Sequence, residues 1–178
     1  RIIDARIDSS VIDKKWKNVD FTVDLHKDKQ IIGLHWANIQ KRVLRLFTHG
    51  ALKKGHINYD TDTGRVQVKD GELSYCVSLD GYDFINCDIR GELENCDIFG
   101  GIIDGSDIIS CNFYNSAKIS STKLKSCYVS VNSTAEECYV YGKGIFKGKM
   151  IKGIFREGTY DKKRARFDGT EKLRYVEV

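Results

Sequence analysis

A small residue stands two places before a larger apolar residue, once in every five residues, through the middle of the chain. Within 111–131 the pairs are Ala117 and Ile119, Thr122 and Leu124, Cys127 and Val129. The same register runs from Cys96 to Phe113, and it returns from Cys138 to Tyr160 with Lys143 and Ile145 as one pair. A helix repeats every 3.6 residues and a strand every 2, so neither explains a period of five.

Internal repetition at a short fixed period is typical of a solenoid, because each unit buries its apolar side chains only against its neighbours. Residues two apart in an extended backbone face the same side. The chain must therefore turn at every fifth residue to keep both members of a pair inside. The pattern predicts that the middle residue of each quintet points outward. It also predicts that five cysteines fill the lumen: Cys87, Cys96, Cys111, Cys127 and Cys138.

Quintets such as CDIRG, CDIFG, SDIIS and CNFYN resemble those of the pentapeptide-repeat family, which are written A(D/N)LXX. The resemblance covers about residues 71–160. It implies a right-handed quadrilateral β-helix with four quintets in each coil. Val77 and Tyr82 are bulkier than the family tolerates at the small position, so a locally wider or distorted coil is expected there. The predicted fold class is mainly β: a right-handed parallel β-helix with a small α+β N-terminal cap.

The flanks of the repeat predict three regions: a capping region over 1–65, the solenoid over 66–168, and an edge strand or tail over 169–178. In the cap, apolar residues at helical spacing predict a helix over 35–48, although two strands within 41–48 remain an alternative. Two strands are expected around a polar turn at 26–30. A hairpin is expected around Thr63 and Gly64.

The charge of the chain is segregated along its length, although the net charge is only +4. Residues 1–69 carry +6, residues 70–142 carry −8 and residues 143–178 carry +6. Outward mid-quintet residues change from acidic to basic or aromatic in the same direction. Asp88 and Asp107, nearly one four-quintet coil apart, are expected to share a face. The candidate partner-binding residues are Asp88, Asp107, Lys118, Lys123, Tyr128, Tyr139 and Lys149.

Motifs of enzymes and metal sites are absent from the sequence. It holds no C-x-x-C, H-E-x-x-H, G-x-S-x-G or complete phosphate loop, so no catalytic residue, metal or cofactor is expected. Six cysteines could form disulfides, but a chain of 178 residues does not need them, and reduced buried thiols are favoured. Cys76 and Cys96 are the one pair that a four-quintet coil would stack. Reduced thiols favour the cytoplasm or a virion assembled there, and no apolar run long enough to span a membrane occurs.

Three functions remain open at this point. The first is a non-catalytic structural or protein-interaction module, possible as a homo-oligomer or as part of a larger assembly such as a phage particle. The second follows from the resemblance, since some pentapeptide-repeat proteins mimic DNA and bind DNA gyrase. The third is a β-helix enzyme with two surface carboxylates about 5 to 9 Å apart. Nucleic acid is a disfavoured partner, because most apolar side chains of the basic segment 139–152 are needed inside the solenoid.

Overall fold

The computed structural model describes residues 19–24, 41–60, 63–172 and 176–177. These residues form one helix, α1 over 41–48, and a series of strands that is mostly very short. The strands are β1 Val19–Asp24, β2 Leu52–Asp60, β3 Arg65–Asp80, β4 Tyr82–Glu94, β5 Asp97–Asp104, β6 Asp107–Ile109, β7 Asn112–Tyr114, β8 Lys118–Ser120, β9 Lys123–Lys125, β10 Tyr128–Val129, β11 Thr134–Glu136, β12 Tyr139–Tyr141, β13 Ile145–Phe146, β14 Lys149–Ile151, β15 Ile154–Phe155, β16 Thr159–Tyr160, β17 Arg166–Asp168, β18 Glu171–Lys172 and β19 Val176–Glu177.

From β7 onward each strand pairs in parallel with the third strand along the chain. β7 pairs with β10, β8 with β11, and β9 with β12. The long strands β3, β4 and β5 bend through the corners and contribute segments to more than one face. The chain therefore winds into a parallel β-solenoid of about seven turns, which confirms the predicted fold class.

Each coil has three faces, whereas the resemblance implied four. Asp97 stacks on Asp83 and Ile145 stacks on Tyr128, so one coil takes up about three quintets of sequence. The expected coil of four quintets is therefore wrong. The spacing of five requires a corner at every quintet but does not set the corner angle, so three sharper corners close a coil as well as four. One consequence is that Cys76 lies opposite Gly91 rather than Cys96, and all six cysteines are free.

We name the three faces by their strands. Face A contains β7, β10, β13 and β16, face B contains β8, β11, β14 and β17, and face C contains β6, β9, β12, β15 and β18. The long strands add 83–85 and 97–99 to face A, 72–74, 88–90 and 102–104 to face B, and 92–94 to face C.

The lumen is filled by one apolar column per face. The face-A column is Val68, Phe84, Ile98, Phe113, Val129, Phe146 and Tyr160; the face-B column is Leu73, Ile89, Ile103, Ile119, Ala135 and Met150; the face-C column is Leu79, Leu93, Ile108, Leu124, Val140 and Phe155. The five cysteines that the quintets predict inside are buried, which confirms that expectation. Three members of the sequence frame are wrong: Val77 is 54% exposed, Ile145 is 42% exposed, and Lys143 is exposed as well. At Val77 only the small position moves, to the buried Cys76, while Leu79 stays buried; at Ile145 the apolar position moves by one residue to the buried Phe146.

Most corners turn through one residue in the left-handed region of backbone space. The non-glycine examples in the solenoid include Asp70, Tyr75, Asn86, Asn95, Ser110, Asn115, Ser121 and Ser126. Asn, Asp and Ser are well suited to turns, because their short side chains hydrogen-bond locally and Asn and Asp tolerate this conformation. The corner amide then hydrogen-bonds to the next coil, as Ser110 N does to Lys125 O at 2.9 Å. Corners are therefore part of the hydrogen-bonded stack.

The N-terminal elements cover the first coil. β2 is antiparallel to β3, which confirms the hairpin predicted at Thr63 and Gly64, and β1 pairs with β2. Helix α1 confirms the helical prediction over 41–48 against its two-strand alternative, whereas 35–40 and the turn at 26–30 lie outside the described residues. Arg45 Nη2 donates to Ser78 O at 2.9 Å, and Tyr82 OH donates to Arg42 O at 2.9 Å. These bonds fix the helix on the coil whose lumen it covers.

Candidate interaction surface

The outward residues form one column on each face. The face-A column is Asp83, Asp97, Asn112, Tyr128, Ile145 and Thr159; the face-B column is Glu72, Asp88, Ile102, Lys118, Thr134, Lys149 and Arg166; the face-C column is Glu92, Asp107, Lys123, Tyr139, Ile154 and Glu171. Columns on faces B and C both begin with two acidic residues. The lysines follow from the fourth position on face B and the third on face C.

The predicted partner-binding residues divide among the three faces. Asp88, Lys118 and Lys149 lie in the face-B column; Asp107, Lys123 and Tyr139 are consecutive in the face-C column; Tyr128 lies on face A. The expectation that Asp88 and Asp107 share a face is therefore wrong. Their separation along the chain approximates one coil only if a coil holds four quintets, and here it holds three.

The two predicted tyrosines take part in contacts on their own faces. Tyr128 lies next to Tyr114, with ring centroids 5.8 Å apart, and Lys147 Nζ lies 5.3 Å from the Tyr128 ring centroid. Tyr139 accepts a hydrogen bond from Arg156 Nη1 at 2.7 Å and its ring centroid is 5.2 Å from that of Tyr141. The contact of Tyr128 with Tyr114 joins two neighbouring strands, and such cross-strand pairs stabilise the stack of coils. Both tyrosines are half-buried and contribute to the wall of the solenoid.

Tyr75 is the most exposed large hydrophobic side chain on the described surface, at 84%. It occupies the corner between faces B and C in the first coil, with φ at 58°. A bulky residue in this backbone region is unusual and costs about 1 to 2 kcal/mol. The register of β3 shifts on both sides of Cys76, and this irregularity projects Tyr75 and Val77 away from the rod.

The sequence held a signal for Tyr75 that the quintet pattern alone did not use. Tyr75 directly precedes a small lumen residue, Cys76, and at most other quintets that place holds Asn, Asp, Ser or Gly. An aromatic residue at a turn position is therefore an exception to the composition of the corners. The distortion expected near Val77 and Tyr82 lies at this same part of the chain, although Tyr82 itself is buried.

Two grooves flank the Tyr75 side chain. The face-B groove, about 420 Å³, is lined by residues that include Lys53, Glu72, Asp88, Arg90, Ile102 and Asp104. The face-C groove, about 480 Å³, is lined by residues that include Val77, Gly91, Glu92, Asp107 and Lys123. Tyr75 lines both grooves and forms the ridge between them.

The electrostatics of the grooves are acidic overall. Residues 70–107 contain ten acidic and one basic side chain. Within the grooves Arg90 Nη2 lies 2.9 Å from Asp104 Oδ2 and Lys123 Nζ lies 3.5 Å from Asp107 Oδ1. A hydrogen bond from Lys53 and the Lys53 charge lower the pKa of Glu72, which keeps this carboxylate ionised. Asp88 has no ion pair among residues 41–60 and 63–172.

The described residues contain no group of three or more His, Cys, Asp or Glu side chains that could hold a metal ion. Burial raises the pKa of Cys87 and of Cys127 to about 12, so these thiols are not ionised near neutral pH. No helix in the described part of the chain is long and apolar enough to cross a membrane.

Comparison of the chain with protein-family models, with curated proteins and with solved structures finds no match. The resemblance to pentapeptide-repeat proteins therefore stays a prediction from the quintets.

Proposed function

We propose that this protein is a non-catalytic interaction module, in which a rigid solenoid presents Tyr75 and the face-C groove to a protein partner. The observation that carries the proposal is the conformation of Tyr75. A large aromatic side chain is held 84% exposed on a left-handed corner between two grooves. Strained positions of this kind cluster at functional sites, where the surrounding structure maintains them.

The chemistry of the ridge matches that of a protein-binding hot spot. Tyrosine is enriched among residues that dominate binding energy, because it offers a large rigid surface and a polar tip. Val77, at 54% exposure, adds an apolar neighbour, and Glu92 and Asp107 supply negative charge in the face-C groove. The partner segment that fits this surface carries an apolar side chain against Tyr75 and Val77 and a basic side chain toward Glu92.

The other two functions have less support. A glycosidase needs one carboxyl group with a raised pKa as its acid, in a cleft that holds the substrate. In the face-B groove the pKa of Glu72 is lowered instead, and Asp83, whose pKa burial raises, is only 7% exposed, bonds to Arg65 and lines neither groove. A duplex mimic needs negative charge along the rod, but the acidic segment spans about two and a half coils, or about 12 Å, before lysines follow. Because all six cysteines are free, a reducing compartment, either the cytoplasm or a virion assembled there, is proposed with the interaction function.

A photoreactive phenylalanine analogue placed at position 75 tests this proposal in extract from the native host. We expect a saturable crosslink to one protein, and we expect unlabelled wild-type protein to compete for it. The Tyr75→Gly variant should compete at least tenfold less well, because it lacks the aromatic anchor. Its free energy of unfolding should be unchanged or higher by about 1 kcal/mol, because glycine adopts this backbone conformation without strain.

The control places the same photoreactive residue at Val131, another exposed apolar side chain on a turn of the solenoid. A crosslink from position 131 to the same protein with the same yield would show non-specific capture. Equal competition by wild-type protein and the Tyr75→Gly variant would refute a role for Tyr75.

A further inference from the structure

The outward column of face B has opposite charges at its two ends. Seven residues follow one another at successive coils: Glu72, Asp88, Ile102, Lys118, Thr134, Lys149 and Arg166. The first two are acidic, the last two are basic, and Lys118 is the central residue. Reversing the direction of this column therefore places acids opposite bases at each end.

We propose that face B binds a second copy of this chain in antiparallel orientation, about a twofold axis that passes through Lys118. Such an axis places Glu72 opposite Arg166 of the second copy and Asp88 opposite Lys149 of the second copy. Ile102 then lies opposite Thr134. A twofold interface of this kind repeats each pair twice and closes as a dimer, without forming fibres.

Two of the charged side chains that the dimer pairs are free of ion pairs in the single chain, whereas Glu72 Oε1 already lies 2.9 Å from Lys53 Nζ. Within the described residues neither Asp88 nor Lys149 forms an ion pair, and both are exposed. Ile102 is 47% exposed between the acidic and basic ends of the column. Charge complementarity between two copies thus satisfies groups that one copy leaves in solvent.

The outward column itself contains one unfavourable pair. Because the axis passes through Lys118, the two copies of this lysine meet at the centre of the interface. Like charges placed opposite each other are destabilising. If the axis passes through Lys118, removing this charge should strengthen the dimer. A general attraction between acidic and basic regions predicts no such gain.

The size of face B sets the strength of the dimer. Six intervals of about 4.8 Å give a length of about 29 Å, and a three-residue strand is about 10 Å wide. This surface is smaller than the roughly 800 Å² per partner of a standard interface. We therefore expect weak affinity that falls as ionic strength rises. Tyr75 borders both grooves, so the identity of the crosslinked protein separates the two proposals: a crosslink from position 75 to a second copy of this chain reports the dimer, and a crosslink to another protein reports the partner.

Sedimentation equilibrium of the full chain, at protein concentrations up to about 1 mM, tests the dimer in about 20 mM and about 500 mM salt. We expect dimerisation at low salt and a dissociation constant at least tenfold higher at high salt. Asp88→Lys and Lys149→Glu should each weaken the dimer about tenfold, because each places like charges opposite each other. The double variant should restore dimerisation, since the pair is then reversed but again complementary.

Two further variants identify the axis. Lys118→Ala should strengthen the dimer several-fold, because it removes the like-charge pair at the centre. Lys125→Glu, an equal charge change on face C, should leave the dissociation constant within about twofold of wild type. Circular dichroism checks that each variant is folded. A monomer at every concentration in low salt, a double variant as weak as the single ones, or a weaker dimer with Lys118→Ala would overturn the proposal.

Discussion

At the scale of single residues, Arg65 holds two carboxylates on face A. Its Nε donates to Asp83 Oδ1, and its Nη2 lies 3.2 Å from Asp97 Oδ2. Asp83 is only 7% exposed, and burial raises its pKa although Arg65 opposes that change. The arginine therefore compensates for the burial of negative charge on the outer wall of the solenoid.

The Arg65→Met variant should be less stable than wild type by about 2 to 3 kcal/mol at pH 7, because a buried carboxylate loses its partner. The folded-state pKa of Asp83 should rise further above its unfolded value. The Asp83 carboxylate then binds a proton more readily in the folded variant than in the unfolded chain. The loss of stability of Arg65→Met relative to wild type should therefore shrink as pH falls through the raised pKa of Asp83. Urea unfolding at pH 7 and pH 4.5 measures both values.

Lys69→Met is the matched control for this experiment. Lys69 is exposed on the same strand as Arg65, and the change removes the same charge. Its effect should stay within about 0.5 kcal/mol at both pH values. An Arg65→Met deficit that is equal at both pH values would contradict the role given to Asp83.

Adjacent residues on β9 test the assignment of inside and outside. Leu124 is fully buried in the lumen and Lys123 is exposed on face C. Leu124→Ala should lower the free energy of unfolding by about 2 to 5 kcal/mol, through lost apolar burial and a cavity. Lys123→Ala should cost less than about 1 kcal/mol, because its ion pair with Asp107 is exposed. Chemical denaturation compares the two, and a reversed order would show that the faces are misassigned.

At the scale of elements, short strands depend on the corners between them. Gly100 and Gly101 are adjacent, with φ at 78° and 91°, but their surroundings differ. A Cβ on Gly101 would lie 2.2 Å from Cys87 O, whereas a Cβ on Gly100 would meet nothing within 4 Å. Gly101 therefore permits close approach of two coils, and Gly100 only supplies the turn.

Gly100→Ala should therefore cost about 1 to 2 kcal/mol, the penalty of the left-handed backbone alone. Gly101→Ala should cost at least about 2 kcal/mol more, because the coils must also separate locally to relieve the clash. The midpoint and slope of guanidinium unfolding measure both variants, with Gly100→Ala as the control for backbone strain. Equal costs would mean that the stacked coils yield at this corner.

The elements also show how far sequence can predict this fold. The spacing of two within five predicts which residues enter the lumen, as Phe113 and Leu124 do. It does not predict the number of quintets in a coil, because corner angle depends on backbone conformation and not on spacing. For that reason an assumed coil of four quintets places Asp88 and Asp107 on one face, whereas the coil of three separates them. Single-residue shifts, as at Phe146, also escape detection, because the outward residue beside them is equally apolar.

The interaction surface was predicted less well than the lumen. Outward residues such as Asp88 and Lys149 could be identified as exposed, but their grouping into columns required the true coil length. The quintet pattern does not identify Tyr75, because Tyr75 stands at a corner and not in the middle of a quintet, and its protrusion depends on a register shift within β3. Whether a side chain is buried follows from the residues next to it in sequence. Which exposed side chains stack on one face depends on the number of residues in a complete coil.

At the scale of the whole molecule, stability is distributed along one axis, because each coil contacts only its neighbours. Central coils pair on both sides, as β7 does with β5 and β10. Among the described residues β17 and β18 each pair on one side only, with β14 and β15. Strands at this edge should therefore open more easily than those in the centre, even in a fully folded population.

Hydrogen exchange followed by mass spectrometry should show this gradient. Amides in 97–129 should exchange slowest, at rates set by global unfolding, and amides in 166–172 should exchange at least a hundredfold faster, through local opening of the last coils. Leu124→Ala should accelerate exchange in 97–129 more than in 166–172, because the edge already opens by a route that does not require unfolding of the centre. Equal protection in both segments would instead indicate that the rod unfolds as one cooperative unit, with strong coupling between every pair of coils.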